Sequence, residues 1–136
     1  MSAGVVIFAH GSRVEAANDA VRAAARELAR AGGFEHVEAA FLELGEPDLP
    51  NAVAQLAAAG VSRVVVIPYF VMPGLHLERD LPRIVAGISR IHKGLDLQVT
   101  LPLDGHPALI QILLDRAREG LAGESACPTR TPTPRI

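Results

Sequence analysis

Three apolar runs in this chain each end on a side chain able to hold a metal or a proton. His10, Glu43 and His76 close these runs at intervals of 33 residues, close to the length of one strand–helix–strand repeat (~30 residues or more). If the runs are parallel strands, their carboxyl ends share one edge of a sheet, where open α/β folds bind ligands. Neighbouring strands lie about 4.8 Å apart, so groups on three adjacent strand ends can converge within roughly 10 Å. Two imidazoles and a carboxylate meeting there would make a site for a divalent metal or for moving protons.

The rest of the chain fits that frame. Gly4–Ala9 is a continuous apolar run, as expected of a strand buried on both faces, and an Ala-, Arg- and Glu-rich helix is predicted from Val14 to Ala31, ended by Gly32-Gly33. A second strand is predicted over His36–Leu42. Pro47 suits the first turn of a helix running to Ala59, which Gly60 closes. Arg63–Pro68, with its Val64-Val65-Val66-Ile67 run, is the clearest strand. The loop Tyr69–Leu75 leads to a helix over Leu77–His92, with Pro82 either tolerated in its first turns or moving its start to Asp80 or Leu81. A fourth strand over Leu95–Leu101 and a helix over Pro107–Leu121 complete the pattern. Alternating strands and helices predict a four-stranded parallel sheet with right-handed crossovers and helices on both faces. Residues 1–121 then form one α/β domain, and the Gly-, Ser-, Thr- and Pro-rich tail 122–136 is expected to be disordered.

Composition narrows the function. The 136-residue chain is 49% hydrophobic and carries a net charge of −2 with its basic residues spread out, so nothing resembles the clustered basic face of a nucleic-acid binder. Its longest apolar stretch, Val64–Leu75, contains two prolines and is too short to cross a bilayer. No charged-then-apolar leader precedes Val5, and a cytoplasmic location is expected. The one cysteine, Cys127, excludes an internal disulfide, an all-thiolate zinc site and a self-contained iron–sulfur cluster. Any metal must use nitrogen and oxygen ligands. The P-loop pattern is missing, so nothing points to coupling with ATP.

Ala9-His10-Gly11-Ser12-Arg13, Phe41-Leu42-Glu43 with Glu46-Pro47, the long segment Pro68-Tyr69-Phe70-Val71-Met72-Pro73-Gly74-Leu75-His76-Leu77-Glu78-Arg79-Asp80-Leu81-Pro82, and Asp104-Gly105-His106-Pro107 follow the four predicted strands in turn. Together they resemble the short CbiX-type chelatases, a family that includes sirohydrochlorin cobaltochelatases and ferrochelatases and archaeal relatives that insert nickel. The likeness covers about residues 4–121. It implies a chelatase-like sheet of order 2-1-3-4 and ATP-independent insertion of a divalent metal into sirohydrochlorin, on the way to cobalamin, sirohaem or a nickel tetrapyrrole.

Carried over by position, the resemblance makes His10 a proton acceptor and metal ligand and His76 the second ligand. Glu43 either completes the ligand set or passes the proton to solvent. Glu46, Val71, Met72, Pro73, Gly74, Leu75 and His76 would contact the tetrapyrrole, with no cofactor beyond the substrate ion, Co²⁺, Fe²⁺ or Ni²⁺. Neutral imidazole suits all three ions, and its reference pKa of about 6.5 lets it take a pyrrole proton near neutrality. Arg13, Arg79 and Arg83 are placed to meet the carboxylates of the macrocycle. Long family members fuse two such units, and some carry a His-rich stretch or a Cys-containing cluster tail; this chain has neither. A single unit offers one wall for the ring, so a homodimer is expected.

Other readings compete. The same pocket could serve a non-catalytic metal or tetrapyrrole carrier, while a flavodoxin-like receiver would want carboxylates where His10 and His76 stand. An isolated histidine at a strand end is more often structural than functional, and His36 and His92 read that way. His106-Pro107 fits either a substrate contact or a helix-starting turn. Cys127 is given no role.

Overall fold

Val5-Val6-Ile7-Phe8 and Val64-Val65-Val66-Ile67 are dominated by β-branched side chains, which favour the pleated backbone, and they form the two inner strands of a parallel sheet. The structure, a computed structural model, describes residues 2–70 and 74–123, with Leu75 and His76 described by backbone alone. Its elements in chain order are β1 (Ala3–Ala9), α1 (Glu15–Gly32), β2 (His36–Phe41), α2 (Leu49–Ala58), β3 (Arg63–Pro68), α3 (Leu75–Ile91), β4 (Asp96–Val99) and α4 (Pro107–Leu121). The strand order is β2-β1-β3-β4, and all pairs are parallel.

That order decides where the helices go. The chain steps one way from β1 to β2 and the opposite way from β2 past β1 to β3 and on to β4. Crossovers of one hand must then put α1 on one face and α2 and α3 on the other. The packing follows suit. Ile7, Ala9, Ala39 and Phe41 meet Val21, Ala25 and Leu28 of α1, while Val6, Phe8, Ala40, Val64 and Val66 pack with Leu49, Val53 and Leu56 of α2 and Leu77 and Ile88 of α3. Alternate residues of β1 thus serve opposite faces, which is why its run is apolar without interruption.

The residues fall into two compact units, Met1–Asp104 and Gly105–Ile136. The first contains the sheet and α1–α3. The second contains α4, where Pro107 occupies the first turn and His106 is the N-cap, its Nδ1 accepting from the Ala108 amide at 3.0 Å. None of the helices among the described residues is long and apolar enough to cross a membrane.

Three elements depart from expectation by more than one residue at an end. α2 begins at Leu49 rather than Pro47, because the Asp48 carboxylate accepts from the Asn51 amide at 2.9 Å and caps the helix; Pro47 sits outside, after a cis peptide. α3 begins at Leu75, with Gly74 as N-cap, and carries Pro82 within it. β4 is shorter than Leu95–Leu101, its ladder closing as the Thr100 amide donates to Val66, beyond which Pro102 has no N–H to offer. Most of the predicted tail, from residue 124 on, lies outside the described residues.

Candidate functional site

β1 and β2 end level with each other, Ala9 opposite Phe41, and their ladder runs on past both strands. The Leu42 amide donates to the Ala9 carbonyl at 2.9 Å and the Glu43 amide to the His10 carbonyl at 3.1 Å. This pairing sets His10 beside Glu43 at the carboxyl edge, with His10 Nδ1 4.0 Å from Glu43 Oε1 and the two side chains 60% and 59% exposed. Such a separation is too long for a hydrogen bond, and an exposed pair of this kind contributes little to stability. Both groups are therefore open to an incoming ligand. The turn between them and α1 depends on Gly11, whose φ is +96°, and a Cβ there would stand 1.6 Å from the Glu43 carbonyl oxygen. Gly11 is required both by its backbone conformation and by this close approach.

The third expected donor has a different setting. His76 was predicted to end the loop after β3; instead its backbone lies in the first turn of α3, because the helix starts at Leu75. Its side chain lies outside the described residues, as do the side chain of Leu75 and all of Val71, Met72 and Pro73. Gly74 is exposed and extended, at φ −71° and ψ 157°. Among the described residues, no three His, Cys, Asp or Glu side chains gather into a group that could hold a metal ion. The structure brings together His10 and Glu43.

Two open grooves flank this edge. One, of about 590 Å³, is lined by Glu43, Glu46, Asp48, Asn51 and Gln55, so Glu46 shares a wall with Glu43. The other, of about 500 Å³, is mainly apolar, with Pro68, Phe70, Leu77, Leu81, Val85 and Val99 among its lining residues. Phe70 and Leu77 bracket the segment expected to touch the tetrapyrrole. Arg13 and Arg83 are exposed, and Arg79 Nε lies 3.9 Å from Asp80 Oδ1.

The sequence reading passed over Asn18 and Arg22. Asn18 is buried beneath the edge, 1% exposed, and hydrogen bonded to the backbone of both the β1–α1 and β2–α2 connections. Arg22 stacks over Phe41 at 5.1 Å and donates to the Glu46 carbonyl at 2.7 Å. It also binds the carboxylates of Glu15 and Asp19 at 2.7 and 2.8 Å. Hydrogen bonds from Arg22 and then Asn18 hold the Glu15 carboxyl below its ordinary range. A signal was present in the spacing: Asn18, Val21, Ala25 and Leu28 share the inward stripe of α1, and a polar residue on such a stripe needs a partner.

The sequence profile of CbiX matches residues 4–120. The chain belongs to the CbiX family. Within that family it is 31% identical over 140 residues to the sirohydrochlorin cobaltochelatase of Methanopyrus kandleri, an alignment covering 88% of this chain and 98% of the relative. It is 32% identical over 119 residues to the chloroplastic sirohydrochlorin ferrochelatase of Arabidopsis thaliana, covering 88% of this chain and 53% of that protein. The chain thus spans about half the length of the plant relative and nearly all of the archaeal one. A CbiX protein from Marinobacter aquaeolei VT8, solved at 1.60 Å, superposes with a TM-score of 0.75 at 26% identity, covering 89% of this chain and 98% of that one. The expected family, and the parallel sheet of order 2-1-3-4 that went with it, are thereby borne out.

Proposed function

We propose that this CbiX-family chain inserts a divalent metal, cobalt or ferrous iron, with nickel as a further candidate, into sirohydrochlorin without ATP. The observation that carries this reading is the His10–Glu43 pair, exposed at the aligned ends of β1 and β2 and 4.0 Å apart. The names of the Methanopyrus and Arabidopsis relatives support sirohydrochlorin as the acceptor and cobalt or iron as the ion.

The reaction exchanges two pyrrole N–H protons for one M²⁺, so the site must offer a ligand to the ion and a base to the ring. Donors each about 2.1 Å from one ion stand roughly 3.4 Å apart at a tetrahedral angle and up to about 4.2 Å apart when opposed. The observed 4.0 Å therefore needs only a small inward rotation of two exposed side chains to grip a shared ion. As the ion passes to the ring, the freed imidazole accepts the two pyrrole protons in turn, and the adjacent carboxylate stabilises the imidazolium each time until the proton leaves to solvent. His76, on the first turn of α3, is assigned as the second imidazole. The apolar groove beside Phe70 and Leu77 offers a surface for the macrocycle. Glu46 shares a groove with Glu43 and is assigned as a substrate contact.

Absorbance of sirohydrochlorin with Co²⁺, Fe²⁺ or Ni²⁺ and substoichiometric protein tests the reading. Turnover well beyond one equivalent supports it; conversion that stops at one equivalent marks a carrier, and none with any ion overturns it. A second wall for the ring would come from another copy in a two-fold dimer, with the Tyr69–Leu75 segment near the interface. Light scattering at micromolar concentration checks this, and a fully active monomer would refute it.

A further inference from the structure

We propose that Asn18 is the positioning residue of the His10–Glu43 pair, holding the two connections that carry them at a fixed separation. The proposal rests on the reading of His10 and Glu43 as the reacting pair. Asn18 is the one buried polar or charged residue among those described. Burying an amide is unfavourable unless its hydrogen bonds are replaced, and here they are. Oδ1 accepts from the Ser12 amide at 2.9 Å, while Nδ2 donates to the Ser12 carbonyl at 2.8 Å and the Leu44 carbonyl at 2.9 Å. Glu15 Oε2, at 3.2 Å, shares a hydrogen already engaged by the shorter contacts. The network also fixes the orientation of the amide, since a flip would set its NH₂ against the Ser12 N–H and its oxygen against two carbonyls.

Ser12 lies two residues beyond His10, and Leu44 immediately follows Glu43. One side chain thus grips both connections, across 26 residues of sequence on the β2 side. Leu44 is the one non-glycine residue with positive φ among those described, at +60°. A leucine resists that conformation, and the grip on its carbonyl opposes relaxation to an ordinary turn. Gly45 lies close beneath, where a Cβ would stand 3.1 Å from Asn18 Nδ2. One helical turn on, Arg22 takes the Glu46 carbonyl, so the connection is held at two points by α1.

Docking of α1 does not account for Asn18, because Val21, Ala24, Ala25 and Leu28 already seat the helix on the sheet. An apolar residue would extend that stripe. What the amide adds is a tie between two connections that are otherwise joined at this edge by the Gly11 contact and a backbone ladder near its end.

The test uses the full chain, with Asn18→Ala and Leu44→Gly singly and together, and Asn18→Asp should the alanine variant not fold. The aspartate keeps the acceptor for Ser12 and loses both donations. Assayed well below its melting midpoint, Asn18→Ala should lose about tenfold or more in kcat while KM for sirohydrochlorin stays within about twofold. Glycine adopts the left-handed turn without help, so in the Leu44→Gly background the same change should cost about threefold or less. Independently of turnover, amide exchange at Leu42 and Glu43 should quicken about tenfold in Asn18→Ala while Val65 and Val66 are unaffected. Full kcat in folded Asn18→Ala, an equal loss in both backgrounds, or unchanged exchange would each overturn the proposal. A native chain that inserts no metal would instead refute the chelatase reading, leaving the exchange measurement to decide the clamp.

Discussion

The carbonyl oxygen of Glu43 occupies the space that a side chain on Gly11 would need: an ideal Cβ would stand 1.6 Å from it. The residue after His10 and the residue expected to share its ligand are in backbone contact, so the two connections cannot shift independently. Gly11→Ala must therefore push the β2–α2 connection away from His10 as well as strain its own φ of +96°. The expected cost is at least about 2 kcal/mol, read by urea unfolding, with loss of metal insertion in the fraction that still folds.

His10 and Glu43 are solvent-facing and contribute little to the core. His10→Ala and Glu43→Gln should each leave the unfolding free energy within about 0.5 kcal/mol of the native chain. Insertion should fall by about 10²-fold or more for His10→Ala, the range set by losing a positioned proton acceptor. Steady-state absorbance kinetics beside a thermal melt separate the two effects; a stable, fully active His10→Ala chain would remove the proton-acceptor role.

Glu15 carries a pH dependence of known sign. Its carboxyl is held below the ordinary value of 4.5, first by the hydrogen bond from Arg22 and next by that from Asn18. A depressed folded-state pKa stabilises the fold at pH above the unfolded value, and the gain is lost as pH falls through the lower folded value. Between neutrality and about pH 3, spanning the reference Glu pKa, the melting midpoint of Glu15→Gln should therefore fall less steeply than that of the native chain.

The start of α2 can be tested in the same way. Asp48, and not Glu46, caps the helix, so Asp48→Ala should destabilise by about 1 kcal/mol. Glu46→Ala should be close to neutral for stability, because Arg22 holds the backbone carbonyl of Glu46. Equal costs in denaturant titrations would contradict this assignment.

Legibility followed the range of the forces involved. β3 was read with its observed ends because a β-branched run bounded by Gly60 and Pro68 is a local signal, and α4 likewise from Pro107 to Leu121. The start of α2 was missed because two prolines compete there and the Asp48 cap decides between them. α3 starts at Leu75, two residues before the expected Leu77, because its N-cap is Gly74, which has no side chain to mark the boundary, and Pro82 is accommodated within the helix. At the site, chain spacing put His10 and Glu43 at the same edge of a parallel sheet, and the sheet order implied by the family resemblance made β1 and β2 neighbours, as observed. Asn18 could not be placed in this way, because its partners are carbonyls of distant connections, and a lone Asn in an Ala-rich helix looks like a solvated residue until the sheet is built against it.

The interior position of β1, with β2 on one flank and β3 on the other, also orders the assembly of the site in time. A growing chain that has passed Glu43 can set it against His10, but the opposite edge of β1 stays bare until Arg63–Pro68 arrives. The strand that carries His10 is thus paired on both edges only once the polypeptide has doubled back across it.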